Sequence, residues 1–350
     1  MTQTLHPTRS TRITEVVLPG LVEPTGLQIQ QRTLPAPAAG QVLVQVEASG
    51  VSFAEQGMRR GRYPGQPKFP FVPGYDLVGT VREVGTGVDR AMIGTRVAVA
   101  TKTGGWATYA LVAAIDLVSV PSSVDPAEAE TVIVNGVTAW QMLHRSAQAK
   151  PGQTILVHGA NGGVGSILVQ LARHAGIRVI GTASPRHHSA LRELGVEPID
   201  YNTPDLNAQI RRLAPDGVDA AFDHLGLNSA RRSFDLLARG GTLVAYGMAA
   251  DLNEEGSMLP MFLKMVGQIL VWTALPNGCR ASFYDFWSGK TITPRVFRRR
   301  QHEDLSRVLD LLAQGVITPY IAARFPLNEV VQAMELAESR TVMGKVVLIP

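Results

Sequence analysis

Short alternating runs of apolar and polar residues fill roughly the first third of the chain. Val42, Val44 and Val46 recur at every second position, which is the period of a strand with one buried face. Comparable runs between Gly and Pro turns predict strands at 41–48, 77–84, 96–100 and 106–112. The pattern predicts a β-rich domain over residues 1–130.

The pattern changes at Asp125-Pro126-Ala127-Glu128, where an Asp cap and a Pro at the first helical position predict a helix start. Strands and helices then alternate, as in a doubly wound α/β fold with a parallel sheet. We expect strands at 154–159, 178–182, 218–223, 242–246 and 268–274, with helices at 163–175, 188–194 and 230–237. This series predicts a Rossmann domain over residues 131–280. Residues 281–350, with helices at 304–314 and 327–339 and a strand at 345–349, are expected to return to the first domain.

One apolar stretch, residues 258–275, is nearly long enough to span a membrane. It contains Pro260, Lys264, Gly267 and Gln268 and lies inside the alternating pattern. We therefore expect a buried helix followed by the 268–274 strand, and no membrane insertion.

Composition limits the class of protein. Hydrophobic residues make up 45% and charged residues 18% of the 350 residues, so the chain is not disordered by composition. A single cysteine, Cys279, excludes a disulfide scaffold and a Cys-rich zinc site. The net charge of +4 is scattered apart from Arg295 and 298–300, which we expect in a surface loop, so nucleic-acid binding is not predicted. Residues 1–12 are polar, without a signal peptide, and a cytoplasmic location is expected.

The most informative motif runs from His158 to Ser166 and reads His-Gly-Ala-Asn-Gly-Gly-Val-Gly-Ser. It follows an apolar strand and opens an amphipathic helix, as the phosphate-binding turn of a dinucleotide site does. Without that context it would be only a strand–helix turn. The predicted cofactor-binding residues of the turn are Asn161, Gly162, Gly163, Val164 and Gly165.

The end of the second predicted strand distinguishes the two nicotinamide cofactors. A site for NAD places Asp or Glu there, on the ribose. Here the segment after Thr182 contains Ser184 and Arg186, and no acid precedes Glu193. A hydroxyl and a guanidinium suit a 2′-phosphate, so NADPH is the predicted cofactor, although Arg186 is also explained as an ordinary surface charge.

Further motifs match a known family along nearly the whole chain. The chain resembles the medium-chain dehydrogenase/reductase superfamily, in its zinc-independent quinone reductase branch, and there it is similar to the vesicle amine transport protein group and its bacterial relatives. The residues that carry the resemblance lie at 50–55, 61–64, 72–76, 134–139, 162–165, 181–184, 199–201, 246–248 and 344–348.

The resemblance implies a GroES-like substrate domain, with the nicotinamide in a cleft between the domains. It also implies a homodimer through the last Rossmann strand, here 268–274. Thr138 is expected beside the nicotinamide ribose, Gly247 at the cofactor, and Tyr201 with Ser184 and Arg186 around the 2′-phosphate. His187 stands where the family has a Lys, which weakens the phosphate assignment.

No metal site is predicted. Zinc-dependent members of the superfamily have Cys and His ligands where this chain has Ser52 and Tyr75. Neither replacement binds zinc well. Without a Lewis acid, alcohol oxidation is not expected, and hydride transfer to a quinone or to an α,β-unsaturated carbonyl remains.

Tyr63 is the first candidate donor of a hydrogen bond or proton to the substrate, and Tyr75 is the second. Each is equally explained as a side chain that fills space. Ser52 and Glu55, where the family often has Asn and Asp, are placed in the substrate pocket with Phe53, Phe283 and Tyr284, although core packing also explains the aromatic residues.

Three functions remain open. The first is an NADPH-dependent reductase of quinones or activated double bonds acting on a small molecule. The second is an enoyl reductase that tailors a polyketide or similar natural product. The third is an NADPH-binding protein without turnover.

Overall fold

The computed structural model describes residues 10–251 and 258–350. Two compact units divide the chain: the first contains the residues up to Val134 and from Ile321 onward, and the second spans Asn135–Tyr320. Residues 281–320, expected in the first domain, thus belong to the second unit. Residues 1–9, for which we expect no signal peptide, lie outside the described residues.

Strands dominate the first unit. Numbered along the whole chain, they are β1 (Thr11–Val17), β2 (Gln28–Leu34), β3 (Gln41–Val51), β4 (Asp76–Val84), β5 (Arg96–Ala100), β6 (Tyr109–Ala113), β7 (Val118–Ser119), β14 (Ile321–Pro326) and β15 (Lys345–Ile349). Its helices are α1 (Phe53–Arg59), α2 (Pro126–Trp140), which continues into the second unit, and α9 (Val330–Glu338). The main sheet has the order β14-β15-β3-β4-β5-β7, with β6 also paired to β3, and β1 pairs with β2.

Strand β3 explains why this sheet has a core on both faces. Val42, Val44 and Val46 enter one hydrophobic cluster, with Leu77 and Val97 of the neighbouring strands. Leu43, which points to the opposite face, packs in a second cluster with Ile13, Leu34 and Ala107.

The second unit is a six-stranded parallel sheet with the order β10-β9-β8-β11-β12-β13. Its strands are β8 (Thr154–His158), β9 (Arg178–Ala183), β10 (Glu197–Asp200), β11 (Val218–Asp223), β12 (Leu237–Ala245) and β13 (Arg280–Phe283). Its helices are α3 (Gly163–His174), α4 (His188–Glu193), α5 (Leu206–Leu213), α6 (Leu227–Asp235), α7 (Leu259–Thr273) and α8 (Pro294–Ala313). The α/β class and the two-domain architecture are those expected from the sequence. Short 3₁₀ turns lie at Pro24–Gly26, Arg90–Met92, Ala114–Asp116, Pro185–His187, Ala249–Asp251 and Leu327–Glu329, and a π-helical turn, Gln141–Ser146, follows α2.

The predicted strand at 268–274 is wrong, because these residues belong to helix α7. The sixth strand is β13, which pairs in parallel with β12. Phe262, Met265, Ile269 and Trp272 recur at helical spacing on the face of α7 that packs inward, for example Phe262 against Phe283 and Trp272 against Phe234. An apolar run alone does not distinguish a strand from a helix, and here the tertiary contacts of α7 decide.

Two further features of this region concern its surface. The arginines 295 and 298–300 lie on helix α8, not in a loop. Among the described residues, no helix is long and apolar enough to cross a membrane.

Candidate functional site

The glycine-rich turn lies between β8 and α3, as the sequence predicts. Gly162 is the N-cap residue of α3 and provides no side-chain cap for the first turn of the helix. The N–H groups at a helix N-terminus carry partial positive charge and bind phosphate. Asn161, Gly163, Val164 and Gly165 surround this N-terminus, so the turn fits a diphosphate group.

Two positions of the turn have no room for a side chain and therefore require glycine. Gly159 has a φ of 64°, and a Cβ there would lie 2.5 Å from Cε1 of His224. A Cβ on Gly165 would lie 2.2 Å from the carbonyl oxygen of Gly159. The helix therefore starts in close contact with the turn, which any larger residue at Gly165 would separate.

The residues predicted at the 2′-phosphate lie at the carboxyl ends of two paired strands. Strand β10 runs parallel to β9, with Asp200 opposite Ala183. Ser184 and Tyr201 directly follow these two residues, and Arg186 donates from Nε to Oγ of Ser184 at 3.3 Å. Tyr201 is half exposed, and His187 has a lowered pKa through partial burial and the neighbouring Arg186. The fold thus brings Ser184, Arg186 and Tyr201 to one edge of the sheet.

The Tyr284 hydroxyl is engaged in a hydrogen-bond network within the second unit. Its hydroxyl donates to Oε1 of Gln141 at 3.0 Å, and Nε2 of Gln141 donates to Oδ2 of Asp304 at 2.7 Å. Burial raises the pKa of Tyr284, while a hydrogen bond with the Thr138 side chain lowers it in part. Thr138 is thereby held by a buried polar network at the π-helical turn, a type of turn that is frequent at functional sites.

The other two residues predicted in this unit have separate surroundings. Phe283 packs edge-on against Phe262 of α7, with ring centroids 5.4 Å apart. Gly247 follows β12, and a Cβ there would lie 2.9 Å from the carbonyl oxygen of His224. Gly247 therefore lies beside the residue that contacts Gly159.

In the first unit, the two candidate tyrosines contact each other. The hydroxyl groups of Tyr63 and Tyr75 are hydrogen-bonded, and their rings meet edge to face with centroids 5.7 Å apart. Lys102 Nζ lies 5.8 Å from the centroid of the Tyr63 ring. Tyr75 is buried and Tyr63 half-buried, so the pair presents Tyr63 as its accessible member.

Ser52 and Glu55 form a capping box at the start of α1. Glu55 Oε2 accepts from the Ser52 N–H at 2.8 Å, and the Ser52 hydroxyl accepts from the Ala54 N–H at 3.2 Å. Glu55 Oε1 also accepts from the Tyr75 N–H at 2.6 Å. Glu55 is only 1% exposed, and burial, with the nearby Asp76, raises its pKa. Glu55 therefore positions Tyr75 and the helix, while Phe53, 44% exposed, is the open member of the predicted group.

A buried ionic cluster lies next to this pair, and the sequence did not indicate it. Lys345 Nζ lies 3.0 Å from Asp76 Oδ2 and 2.6 Å from Glu130 Oε1. Burial lowers the pKa of Lys345, but Asp76 and Glu130 outweigh it and raise the pKa overall. The available signal was a lysine at the start of the apolar run 346–349, where a buried lysine needs a carboxylate partner.

The comparisons with known proteins place this geometry in a family. The chain is 34% identical to the human synaptic vesicle membrane protein VAT-1 homolog over 332 residues, which cover 93% of this chain and 82% of that protein. The chain belongs to the medium-chain dehydrogenase/reductase superfamily. Family models described as "Alcohol dehydrogenase GroES-like domain" and "Zinc-binding dehydrogenase" match residues 38–122 and 194–348.

Two further relatives of this medium-chain dehydrogenase/reductase are named for their reactions. A 2-haloacrylate reductase of a Burkholderia species is 31% identical, over 90% of this chain and 92% of that protein. The crystal structure of Escherichia coli quinone oxidoreductase complexed with NADPH has a TM-score of 0.83 and 27% identity, and it covers 96% of this chain and 100% of that one.

The family description implies a zinc ion, but the residues of this medium-chain dehydrogenase/reductase do not fit one. Ser52 is engaged in the capping box, the Tyr75 hydroxyl in the bond to Tyr63, and Asp76 in the ion pair with Lys345. Within residues 10–251 and 258–350, no group of three or more His, Cys, Asp or Glu residues is placed to hold a metal ion. We therefore derive no step through zinc.

Proposed function

We propose that this protein is an NADPH-dependent oxidoreductase that reduces quinones or α,β-unsaturated carbonyl compounds without zinc. The observation that carries the proposal is the uncapped glycine-rich turn of α3, followed past β9 by the Ser184–Arg186 pair. A reductase of the same superfamily acting on a haloacrylate, which its name identifies as an activated alkene, supports the substrate class. So does the quinone oxidoreductase–NADPH complex.

The cofactor-binding residues in this proposal come from the second unit. The N–H groups at Gly162–Gly165 bind the diphosphate, Thr138 and Gly247 lie at the nicotinamide end, and Ser184, Arg186 and Tyr201 hold the 2′-phosphate. Bound NADPH supplies a hydride. Tyr284, through its hydrogen bonds, keeps Thr138 in place.

The substrate-binding residues come from the first unit. Hydride addition to the distal carbon of an enone leaves negative charge on the carbonyl oxygen, and a hydrogen-bond donor there stabilises it. We assign this donor to the Tyr63 hydroxyl. Tyr75 orients Tyr63 through the hydroxyl–hydroxyl bond, and Glu55 with Ser52 holds Tyr75 through its backbone N–H. Phe53 provides an apolar contact.

The first test follows NADPH oxidation against a panel of enones, alkenals, quinones and enoyl thioesters. We expect turnover with at least one quinone or enone, and turnover undiminished after dialysis against a zinc chelator. Activity confined to carrier-bound enoyl thioesters would identify an enoyl reductase instead. Binding of NADPH without turnover of any compound would overturn the proposal.

The cofactor assignment has its own test in Arg186→Ala. Charge-assisted hydrogen bonds contribute about 1.5–3 kcal/mol, so the NADPH dissociation constant should rise about 10- to 100-fold, and NADH binding should not change. Arg192→Ala, an exposed arginine on α4, is the matched control and should leave both constants unchanged. Equal NADPH affinity in Arg186→Ala and the wild type would remove Arg186 from the site.

We also propose a homodimer, through β13 and α7 and not through a strand at 268–274. β13 ends the parallel sheet, and beside it α7 exposes an apolar face, with Leu259, Leu263 and Leu270 at least 60% exposed. An open strand edge pairs readily with a second copy about a two-fold axis. An apolar helix face next to that edge would be covered by the same contact.

A further inference from the structure

The residue that precedes the glycine-rich turn is itself buried in a hydrogen-bond chain. We propose that His158 is a positioning residue for this turn, acting as the neutral Nε2–H tautomer through the Thr182 hydroxyl on the Gly159 N–H. The proposal rests on the proposed binding of NADPH at the turn. It adds a residue, a tautomer and a pH dependence to that site.

The tautomer follows from counting hydrogens. Asp223 Oδ2 accepts from the Ser233 hydroxyl at 2.7 Å, because a carboxylate only accepts. The Ser233 oxygen lies 3.0 Å from Nε2 of His158 and, with its own hydrogen used, must accept from it. Neutral histidine carries one N–H, so Nδ1 has only a lone pair for its partner.

That partner connects the histidine to the turn. Nδ1 lies 3.0 Å from Oγ1 of Thr182, so the threonine hydroxyl donates to it. The lone pairs of the same Thr182 oxygen remain for the Gly159 N–H, 3.4 Å away. The Thr182 carbonyl accepts from the Ala160 N–H at 3.0 Å. Thr182 thus holds two consecutive N–H groups of the turn, and His158 sets the direction of its hydroxyl.

All four side chains of this hydrogen-bond network are buried. His158 is 4% exposed, Thr182 1%, Ser233 0% and Asp223 1%. Buried hydrogen-bond networks polarise one another and allow few alternative arrangements, so a change at one end alters the other. The turn in question is the one whose Gly159 carbonyl packs against Gly165 at the start of α3.

Protonation of His158 would reverse the direction of the hydrogen bond between His158 and Thr182. Nδ1 would become a donor to Thr182, the threonine hydrogen would be displaced, and the Gly159 N–H would compete for an oxygen that already accepts from the histidine. Two charged groups act on the imidazole: Asp223 on β11, 3.8 Å from Nε2, and Arg232 on α6. Burial lowers the pKa of His158, Asp223 opposes this, and Arg232 lowers it further. The neutral form therefore persists at neutral pH, and the loss of cofactor affinity through protonation of His158 should occur at a lower pH than for an ordinary histidine.

The test measures NADP⁺ binding by calorimetry from pH 8 down to the lowest pH at which all four proteins remain folded. They are the wild type, His158→Asn, Thr182→Val and the control Thr242→Val, a buried threonine elsewhere in the same sheet. His158→Asn keeps an acceptor for Thr182 but does not titrate. Because the cofactor phosphate itself takes up a proton near pH 6, its contribution is common to all four and cancels in the comparison.

We expect the wild type to lose about 3- to 10-fold more affinity on acidification than His158→Asn, as the loss of one or two hydrogen bonds implies. Thr182→Val should bind about 3- to 10-fold more weakly at pH 7.5 and lack the additional acid loss. Thr242→Val should follow the wild-type pH profile even if its melting temperature falls. A wild-type profile in Thr182→Val would overturn the proposal.

A second measurement needs no cofactor. Nitrogen-15 NMR of the ring in the unliganded protein should show His158 protonated at Nε2 and unprotonated at Nδ1. The opposite tautomer, or a doubly protonated ring at pH 7.5, would overturn the proposal. Failure of all four proteins to bind NADP⁺ would contradict the proposed function instead, and the ring spectrum would still decide the tautomer.

Discussion

At the scale of single residues, the two candidate tyrosines of the first unit are joined by a hydrogen bond that the sequence does not predict. The sequence indicated Tyr63 and Tyr75 separately, one beside a Gly-Arg segment and the other at a metal-ligand position. The bond between their hydroxyls depends on the loops between α1 and β4, which no local pattern describes. In the proposed function, this pair is the donor, with Tyr63 as its accessible member and Tyr75 as its buried one.

Removal of the outer hydroxyl tests this assignment. In Tyr63→Phe we expect kcat to fall about 10- to 100-fold, because a hydrogen bond to a developing charge contributes about 1.5–3 kcal/mol, while NADPH affinity stays unchanged. Steady-state kinetics on the best substrate of the panel measure the effect. Tyr109→Phe, a half-buried tyrosine on β6, is the control. Full activity in Tyr63→Phe would show that the Tyr63 hydroxyl is not the donor.

Glu55 belongs to a local sequence motif that predicts a structural role for its carboxylate. Ser52-Phe53-Ala54-Glu55 is a capping-box sequence, which predicts a helix start and a carboxylate turned back to the backbone. Because the family often has Asp at this position of its substrate pocket, the resemblance instead predicts a pocket residue here. In the structure, the Glu55 carboxylate accepts hydrogen bonds from the backbone N–H groups of Ser52 and Tyr75.

At the scale of elements, the buried cluster of Lys345, Asp76 and Glu130 joins β15, β4 and α2. Lys345 and Asp76 are 269 residues apart in the chain. Two carboxylates surround one ammonium, with Glu55 close by, and Glu130 Oε2 is buried without a hydrogen-bond partner among the described residues. Burial first, and Asp76 second, raise the pKa of Glu130 well above its usual value. Glu130 therefore binds a proton more tightly in the folded protein than in the unfolded chain.

Linkage gives the sign of the stability effect. Because the folded state binds this proton more tightly than the unfolded state, the free energy of unfolding falls as pH rises from the unfolded pKa of about 4.3 to the raised folded pKa. Glu130→Gln removes the titrating group and keeps an oxygen for Lys345. We expect its melting temperature to decline less with rising pH than that of the wild type.

Thermal unfolding by circular dichroism between pH 5 and 9 measures this difference. Glu128→Gln, a half-buried glutamate on the same helix, is the control and should retain the wild-type slope. Identical slopes in the wild type and Glu130→Gln would contradict the raised pKa of Glu130.

At the scale of the whole molecule, the exposed apolar face of α7 bears on the proposed homodimer. The second unit is inserted in the first, and its sheet ends at β13. On α7, Leu270 is 67% exposed, and the only charged residue on the exposed face is Lys264. Apolar side chains in such a group mark an interaction surface.

Sedimentation equilibrium at micromolar concentration tests the dimer. We expect the wild type to have twice the chain mass and Leu270→Asp to be predominantly monomeric, since a buried charge without a partner opposes association. Ile292→Asp is the control, because Ile292 is 88% exposed but lies outside α7, and it should leave the dimer intact. A monomeric wild type would exclude the proposed assembly.

Local sequence patterns are enough to predict the features that depend on neighbours along the chain. Strands β5, β11 and β15 lie within the predicted bounds, and the turn between β8 and α3 has the predicted context, because alternation, glycine geometry and helix starts are local. That residues 268–274 continue a helix follows only from tertiary contacts, since the partners of the apolar residues of α7, Phe234 for Trp272 and Phe283 for Phe262, come from other elements. The same holds for the Lys345 cluster and for the His158 chain. Both bring together charged or polar side chains from distant parts of the sequence. Local patterns do not predict these contacts, because the partners meet only after the sheets have formed.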